Sequence, residues 1–314
     1  MRIEKLRPIV KGLILHIPFV KSITDKGTGG TTESRYCYSV WMRHLKNWNS
    51  IRKDMPETVA ELGPGDSLGI GLAALLSGCQ SVVALDIIKY WDIKRNLKIF
   101  DELTLLFKQK ASIPDNTEYP KVGPLLDNYD FPVNILSNET LKESLSEERI
   151  SAIRKEIHEI DNPKNQFIKY NIPWHDDKII NKETIDFVYS QAVLEHVEDL
   201  EGTYAGIYKW LKKDGVMSHT IDFKSHGTSK SWNGYRTYSE FEWWIVEGGK
   251  AYVINRIPYS KNIELQKKYN FKIIKNVPVK MENKIPKRYF SKRFKDLSEE
   301  DMTTSSVYLL SIKE

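Results

Sequence analysis

Cysteine is scarce in this chain: among 314 residues there are two, Cys37 and Cys79. Two thiols cannot build a disulfide framework or a Cys-rich zinc site. They fit a reducing compartment, which makes the cytoplasm the expected location. Long apolar runs are missing too, so no stretch of the sequence is a candidate membrane span. Neither internal repeats nor low-complexity tracts occur. Neither sign of charge dominates, since 47 Lys and Arg against 42 Asp and Glu leave +5. That excess admits an anionic substrate without demanding one, and no nucleic-acid partner is expected. What is present, 40% hydrophobic and 28% charged residues, describes a soluble globular chain. Its length suits one large α/β domain with insertions or two small domains.

The most informative stretch is VAELGPGDSLGIG over residues 59–71. A short apolar run ends in an acid, turns on two glycines and enters an apolar helical pattern. That order is a strand, a tight turn and a helix start. Gly63 and Gly65 lack Cβ, so the backbone can turn sharply and lie close to a ligand. Glu61, at the strand end, can accept hydrogen bonds from ligand hydroxyls or an ammonium. The helix start beyond it offers unpaired N–H groups. Asp86 ends the next apolar run, SVVALD, after a helix-length gap. An acid there can clamp the two hydroxyls of a ribose. Leu68 stands where the third glycine of a dinucleotide fingerprint would fall, so the run is not G-x-G-x-x-G.

Apolar residues at Tyr36, Cys37, Val40, Trp41, Leu45 and Trp48 predict a helix over Glu33–Trp48, with Thr31 or Thr32 as its cap. A flexible Gly-rich link over 26–33 precedes it. Strands are predicted at Thr58–Leu62, Val82–Asp86, Phe167–Ile172, Ile185–Ser190, Val216–Phe223, Phe271–Val277 and Val307–Ile312. Helices are predicted at Leu68–Gly78, Arg95–Lys110, Ser146–Ile160 and Tyr259–Tyr269, with another ending at Leu211. Lys212–Gly215 reads as a turn into the fifth strand. The alternation lapses at about 111–163 and again over the aromatic-rich 224–258, which marks two insertions. The first has the size of a lid or substrate-selecting element. The pattern implies a mostly parallel sheet with helices on both faces. Residues 1–52 form an N-terminal helical extension and 53–314 the main domain. Ligands bind outside the carboxyl ends of such strands. There stand Glu61, Asp86, Asn171, Gln191 and Asp222.

The stretch Leu6–Ile23 is basic and apolar but interrupted by Pro8, Gly12 and Pro18. It reads as one or two helices packed on the domain surface. The other reading is a peripheral contact in which the segment lies in the headgroup plane, at the inner face of a membrane.

The run Glu-x-Gly-x-Gly, with Ser67 two positions further, resembles motif I of the class I S-adenosylmethionine (SAM) methyltransferases. The likeness covers roughly Thr58 to Asp222. IDFVYSQAVLEHV over 185–197 resembles that family's fourth strand and following loop, and LKKDGVM over 211–217 its turn before the fifth strand. The resemblance implies a Rossmann-like, seven-stranded sheet and methyl transfer from SAM. It implies Glu61, Gly63 and Gly65, with adjoining Asp66 and Ser67, around the methionine part. It puts Asp86 and Ile87 at the ribose, Asn171 and Ile172 beside the adenine, and Gln191 on the cofactor floor. Many members hold the adenine amino group with an acid near the third strand end; here Tyr170 and Asn171 stand there. The flanking pieces at 27–31, 35–39, 218–227 and 254–258 are similar to uncharacterised bacterial methyltransferases associated with polysaccharide and surface-glycan biosynthesis.

Methyl transfer needs an acceptor aligned with the methyl group and, for a hydroxyl acceptor, a base. His226 and His196 are the candidate bases, with Asp222 orienting or binding substrate. His219 points away from Asp222 on its strand and reads as a buried, hydrogen-bonded histidine. The acceptor is expected to be a small molecule, a glycan or a nucleotide sugar. Arg35, Tyr36 and Tyr38 stand on a helix that can reach the methionine carboxylate or the acceptor. Trp232 and Tyr235 suit stacking on a sugar ring, or the core of a small cap. No metal is expected, because the spacing of His219, Asp222 and His226 matches no strong ligand signature. Lys280–Lys295 carries seven basic residues and one acid, Glu282; it reads as solvated surface, with an acidic substrate second. A non-catalytic binding module, using the aromatic cap and this basic segment for a partner, is the alternative. Intact Glu61, Gly63, Gly65 and Asp86 argue against it.

Overall fold

The computed structural model describes residues 2–16, 30–174, 177–248, 250 and 252–314. Seven strands form one sheet: β1 Thr58–Leu62, β2 Ser81–Leu85, β3 Ile168–Asn171, β4 Ile185–Gln191, β5 Leu211–Asp222, β6 Phe271–Lys280 and β7 Thr304–Lys313. Their order is β3-β2-β1-β4-β5-β7-β6. The first five strands run parallel, and β7 lies antiparallel between β5 and β6. The sheet is the Rossmann-like, mostly parallel sheet that the sequence implies. The chain leaves β1 toward β2 on one side and later returns to β4 on the other. That reversal opens a crevice at the carboxyl ends of β1 and β4.

Helices cover both faces: α1 Arg2–Leu15, α2 Ser34–Asn49, α3 Gly69–Leu76, α4 Ile93–Lys108, α5 Asn138–Ser144, α6 Glu147–His158, α7 Leu200–Trp210, α8 Glu240–Glu247, α9 Tyr259–Lys268 and α10 Glu299–Thr303. Successive strand residues alternate between the faces. Val59, Val82, Phe187, Tyr189 and Val216 pack under α2, α3, α4 and α6 through Trp41, Leu72, Phe100 and Ile153. Ala60, Val83, Val188 and Met217 pack under α7 and α9 through Ile207 and Leu265. Glu61 follows Ala60, so its side chain returns to the α2 face.

Several predicted details differ. Glu33, not Thr31 or Thr32, is the N-cap of α2, and its side chain makes no capping bond. Thr31 instead gives its hydroxyl to the Pro64 carbonyl at 2.7 Å. Lys212–Gly215 is not a turn: it lies inside β5, with Asp214 at φ +59 and a register shift between Ile185 and Phe187 on β4. From the pair Ile185–Leu211 to the pair Phe187–Val216 β4 advances two residues and β5 five, so three extra residues of β5 bulge out there. The segment 224–258 is not wholly irregular, because it contains α8. A capping box between Ser239 and Glu242 starts that helix, and Gly248 ends it at φ +58. Ser-x-x-Glu was visible in the sequence as a helix start.

The 111–163 insertion does not form a lid. Its Phe131, Leu136, Ile153 and Ile157 belong to the core on the α2 face. Arg43, buried on α2, fastens it by donating to the carbonyls of Pro114, Val122 and Pro124 at 3.0, 2.8 and 3.0 Å. Over the carboxyl ends of the strands sit α1 and α8 instead. A side chain at Gly12 of α1 would overlap the Ile245 carbonyl, so glycine permits the close crossing. Lys5 adds an ion pair to Glu242 at 2.9 Å. Among the described residues no helix is long and apolar enough to cross a membrane. Residues 17–23 of the stretch read as a membrane contact, and 26–29 of the Gly-rich link, lie outside the described residues.

Candidate active site

The loop after β1 turns through two left-handed glycines, Gly63 at φ +63 and Gly65 at φ +74. A Cβ on Gly63 would stand 2.7 Å from a Val193 methyl, so glycine is needed there for space as well as for conformation. Residues 30 and 31 roof this loop. Gly30 N–H donates to Asp66 at 3.2 Å, and Ser67 N–H donates to the Thr31 hydroxyl at 2.9 Å. Ser67 returns its own hydroxyl to the Thr31 carbonyl at 2.5 Å. Asp66 and Ser67 therefore shape the loop from behind and do not line the cavity.

Glu61 is 2% exposed and accepts the Tyr189 hydroxyl at 3.2 Å. Burial pushes its carboxyl up to about 8, against the opposing pull of the Tyr189 hydroxyl and the Gly71 N–H; the nearby Asp86 charge adds to the rise. Asp86 accepts from Ile87 N–H at 2.7 Å, Gly65 N–H at 3.2 Å and Ile88 N–H at 3.4 Å. Burial still outweighs these bonds and raises its pKa.

Glu61, Gly63, Gly65, Asp86, Ile87 and Gln191 share one cavity of about 1140 Å³ with Tyr36, His196 and His226. A single small-molecule site is typically about 300–1,000 Å³, so a donor and an acceptor fit together. Gln191, on the cavity wall, turns its side-chain amide toward the buried His44 ring. Two acids and a glycine cradle fit the ribose hydroxyls and the ammonium of SAM.

Other sequence-selected residues lie elsewhere. Asn171 and Ile172 are not on the cavity wall; the Asn171 carbonyl accepts Asp86 N–H at 3.2 Å. Ile88, Tyr90 and Trp174 stand there instead. Arg35 is exposed and paired with Glu118 at 2.6 Å. Tyr38 is fully buried and gives its hydroxyl to the Ala111 carbonyl at 2.7 Å. Two residues apart on a helix means about 200° of rotation, which is why Tyr36 faces the cavity and Tyr38 the core. Trp232 donates to the Glu282 carbonyl at 2.8 Å, and Tyr235 packs against Phe294. Both belong to a third apolar cluster with Trp243 and Phe290 or to its edge; none of the four touches the cavity.

The loops after β4 and β5 meet beside it. The rings of His196 and His226 stand edge to face, 5.0 Å between centroids. Burial, helped by His226, lowers His196 to about 4, so its ring is neutral at pH 7. Asp222 lies behind this pair: its Oδ1 takes Lys224 N–H and Nζ at 2.9 and 3.0 Å, and its Oδ2 is 3.7 Å from His226 Nε2. His219 is buried and pairs its Nδ1 with the Ser190 hydroxyl at 2.8 Å, as its strand position predicts. Sequence reasoning passed over Glu195, Tyr252 and Lys11, which come from a short turn, an irregular loop and α1. Glu195 was nonetheless visible inside the LEHVEDL run.

The family described as "Methyltransferase domain" matches residues 142–218, from α5 into β5. No curated protein matches the chain. Among solved structures the chain is similar to an S-adenosylmethionine-dependent methyltransferase, so assigned provisionally, from Listeria monocytogenes. That likeness has a TM-score of 0.43 and 14% identity, covering 90% of this chain and 100% of that one. A SAM-dependent methyltransferase from Methanosarcina mazei gives 0.42 and 10%, covering 85% and 96%. One from Mesorhizobium loti gives 0.41 and 13%, covering 88% and 98%. Residues 142–218 thus match a methyltransferase domain, and the glycine cradle with the acids at the ends of β1 and β2 lies at the carboxyl edge of the same sheet.

Proposed function

We propose that the chain methylates a hydroxyl group of a small-molecule or glycan acceptor. The observation that carries this reading is the pair of imidazoles, His196 and His226, on the wall of the cavity that also holds Glu61 and Asp86. β2 and β5 are three strand spacings apart, roughly 14 Å at about 4.8 Å each. The acids and the imidazoles thus serve different parts of one cavity. Bound SAM supplies a methyl group activated on a sulfonium. Asp86 holds the ribose, and Glu61 and the glycine turn hold the methionine part. His226, on the more open loop, takes the acceptor proton, with Asp222 fixing its ring. Tyr252 stands edge-on to His196 at 6.5 Å and to Tyr90 at 5.9 Å. Mass spectrometry of sugars and nucleotide sugars incubated with isotope-labelled SAM tests the proposal. O-methylated product is expected, at least about 100-fold reduced by His226→Ala. Methyl transfer to amines alone would overturn it.

A second surface supports a location at a membrane face. Leu6, Val10, Leu13 and Ile14 on α1 and Phe241 and Trp244 on α8 are exposed side by side, Phe241 at 69%. Arg7 and Lys11 are exposed on the same helix. An apolar face flanked by cations suits an anionic lipid surface from the cytoplasmic side. Co-sedimentation with anionic but not neutral vesicles, lost in Phe241→Ser with Trp244→Ser, is expected. No sedimentation, or a concentration-dependent dimer through this face, would contradict it.

A further inference from the structure

We propose that Glu195, His196 and His226 bind one divalent transition-metal ion at the edge of the cavity. Each offers a ligand atom, and all of these atoms lie within 4.8 Å of one another. His226 Nε2 is 4.0 Å from Glu195 Oε1 and 3.7 Å from Asp222 Oδ2. Ligands about 2.1 Å from a metal stand roughly 3–4 Å apart, so side-chain rotations of about 1 Å close the set. Asp222 is near enough to add a fourth donor. The sequence expectation of no metal weighed His219 in place of Glu195 and His196. The strand turns His219 into the core, and the turn after β4 brings the other two forward.

The second observation is the state of the donors. The Glu195 side chain is 2% exposed, yet neither oxygen has a hydrogen-bond partner. Its carboxylate faces the N–H groups of Glu195 and Asp222, and neither closes a bond of good geometry. His196 Nδ1 is also buried and closes no bond of good geometry, although the ring meets the Val253 backbone. Unpaired acceptors converging in a dry place are costly to maintain. A cation offsets that cost.

The backbone around these residues is held firmly. Asn255 donates its N–H to the Glu195 carbonyl at 2.6 Å and its side-chain amide to the carbonyls of Leu194 and Val197, each at 2.8 Å. His226 stands at φ +43, followed by Gly227 at φ +79. Left-handed backbone at a non-glycine is uncommon and collects at ligand sites. Two imidazoles with a carboxylate select zinc, manganese or iron(II) over magnesium or calcium.

The consequence for catalysis rests on the hydroxyl-acceptor reading above. An ion here lowers the pKa of an acceptor hydroxyl. The proton leaves to water in the cavity mouth, the oxygen gains the methyl, and the sulfonium becomes a neutral thioether. With the ion bound, His226 acts as a ligand in place of the base role proposed above, and the ion supplies the acidity instead.

The test separates the site from the reaction. Chelator-stripped protein is titrated with zinc, manganese and magnesium in the absence of SAM, and metal content is measured after desalting. One zinc or manganese ion per chain is expected, with magnesium much weaker. Glu195→Gln and His226→Ala should each weaken binding by about tenfold or more. His226 is on a surface loop and 31% exposed, so His226→Ala keeps the fold. Binding of S-adenosylhomocysteine to His226→Ala, unchanged, confirms that. Wild-type protein that takes up none of the three ions, or variants that bind them like wild type, would overturn the metal site. Metal uptake without methyl transfer to any hydroxyl would instead refute the function and leave the site standing.

Discussion

Glu61 should be protonated in the ligand-free protein and should lose its proton when the cofactor binds. A carboxyl pushed to about 8 is about 90% protonated at pH 7. S-adenosylhomocysteine brings an ammonium. A cation in contact with the carboxyl favours the charged form and can lower its pKa by about 1–3 units. Binding at pH 7 should therefore release between about 0.4 and 0.9 of a proton. Calorimetry in buffers of different ionisation enthalpy reads this directly: the apparent binding enthalpy changes with buffer enthalpy at a slope of about −0.4 to −0.9. Glu61→Gln, isosteric with the neutral acid, should bring the slope near zero. The same shift has a signature in stability. A folded-state pKa raised from 4.5 to about 8 favours the fold fully below pH 4.5, and that benefit is lost as pH rises through 8. At 1.36 kcal/mol per unit the loss is at most about 5 kcal/mol. Glu61→Gln should remove it and raise the melting temperature at pH 8 and above. A wild-type slope of zero at pH 7, or a slope unchanged in the variant, would refute the reasoning.

Three further outcomes follow from the same geometry. Arg43→Met leaves the carbonyls of Pro114, Val122 and Pro124 without their donor; thermal denaturation should show a loss of about 2–4 kcal/mol. Because the insertion does not line the cavity, S-adenosylhomocysteine should bind the same variant unchanged, and a large loss of affinity would restore the lid reading. Gly63→Ala must place a Cβ against Val193 at a left-handed φ, and a melting measurement should register about 1–3 kcal/mol. Tyr36→Phe should alter steady-state kinetics with little change in stability, while Tyr38→Phe should do the reverse, since its hydroxyl serves the Ala111 carbonyl.

The alternation of apolar strands and amphipathic helices made the sheet legible, because burial on both faces imposes that pattern. The glycine turn and the acids beside it were legible for a related reason. Glycines with left-handed backbone and acids at strand ends are local features, so Glu61, Gly63, Gly65 and Asp86 stand out in the sequence and meet in the cavity. The acceptor side was not. Tyr36 and Tyr38 differ only in which way the helix turns them, and Trp232 and Tyr235 could as well be core as platform. The 111–163 insertion looked like a lid because its apolar residues are spread among prolines. Its attachment depends on Arg43, some 70–80 residues earlier. Glu195 sat within a quoted run, but its meaning depends on the loop after β5 arriving with His226.

The most direct test of the account is calorimetric titration of the protein and of Asp86→Ala with S-adenosylhomocysteine. Wild type should bind one equivalent, with a matching rise in melting temperature. Asp86→Ala should bind about 10–150-fold more weakly, the loss of a charged pair of hydrogen bonds at about 1.5–3 kcal/mol. A folded wild-type protein that shows neither heat nor thermal shift, or an Asp86→Ala variant that binds as tightly as wild type, would contradict the central claim.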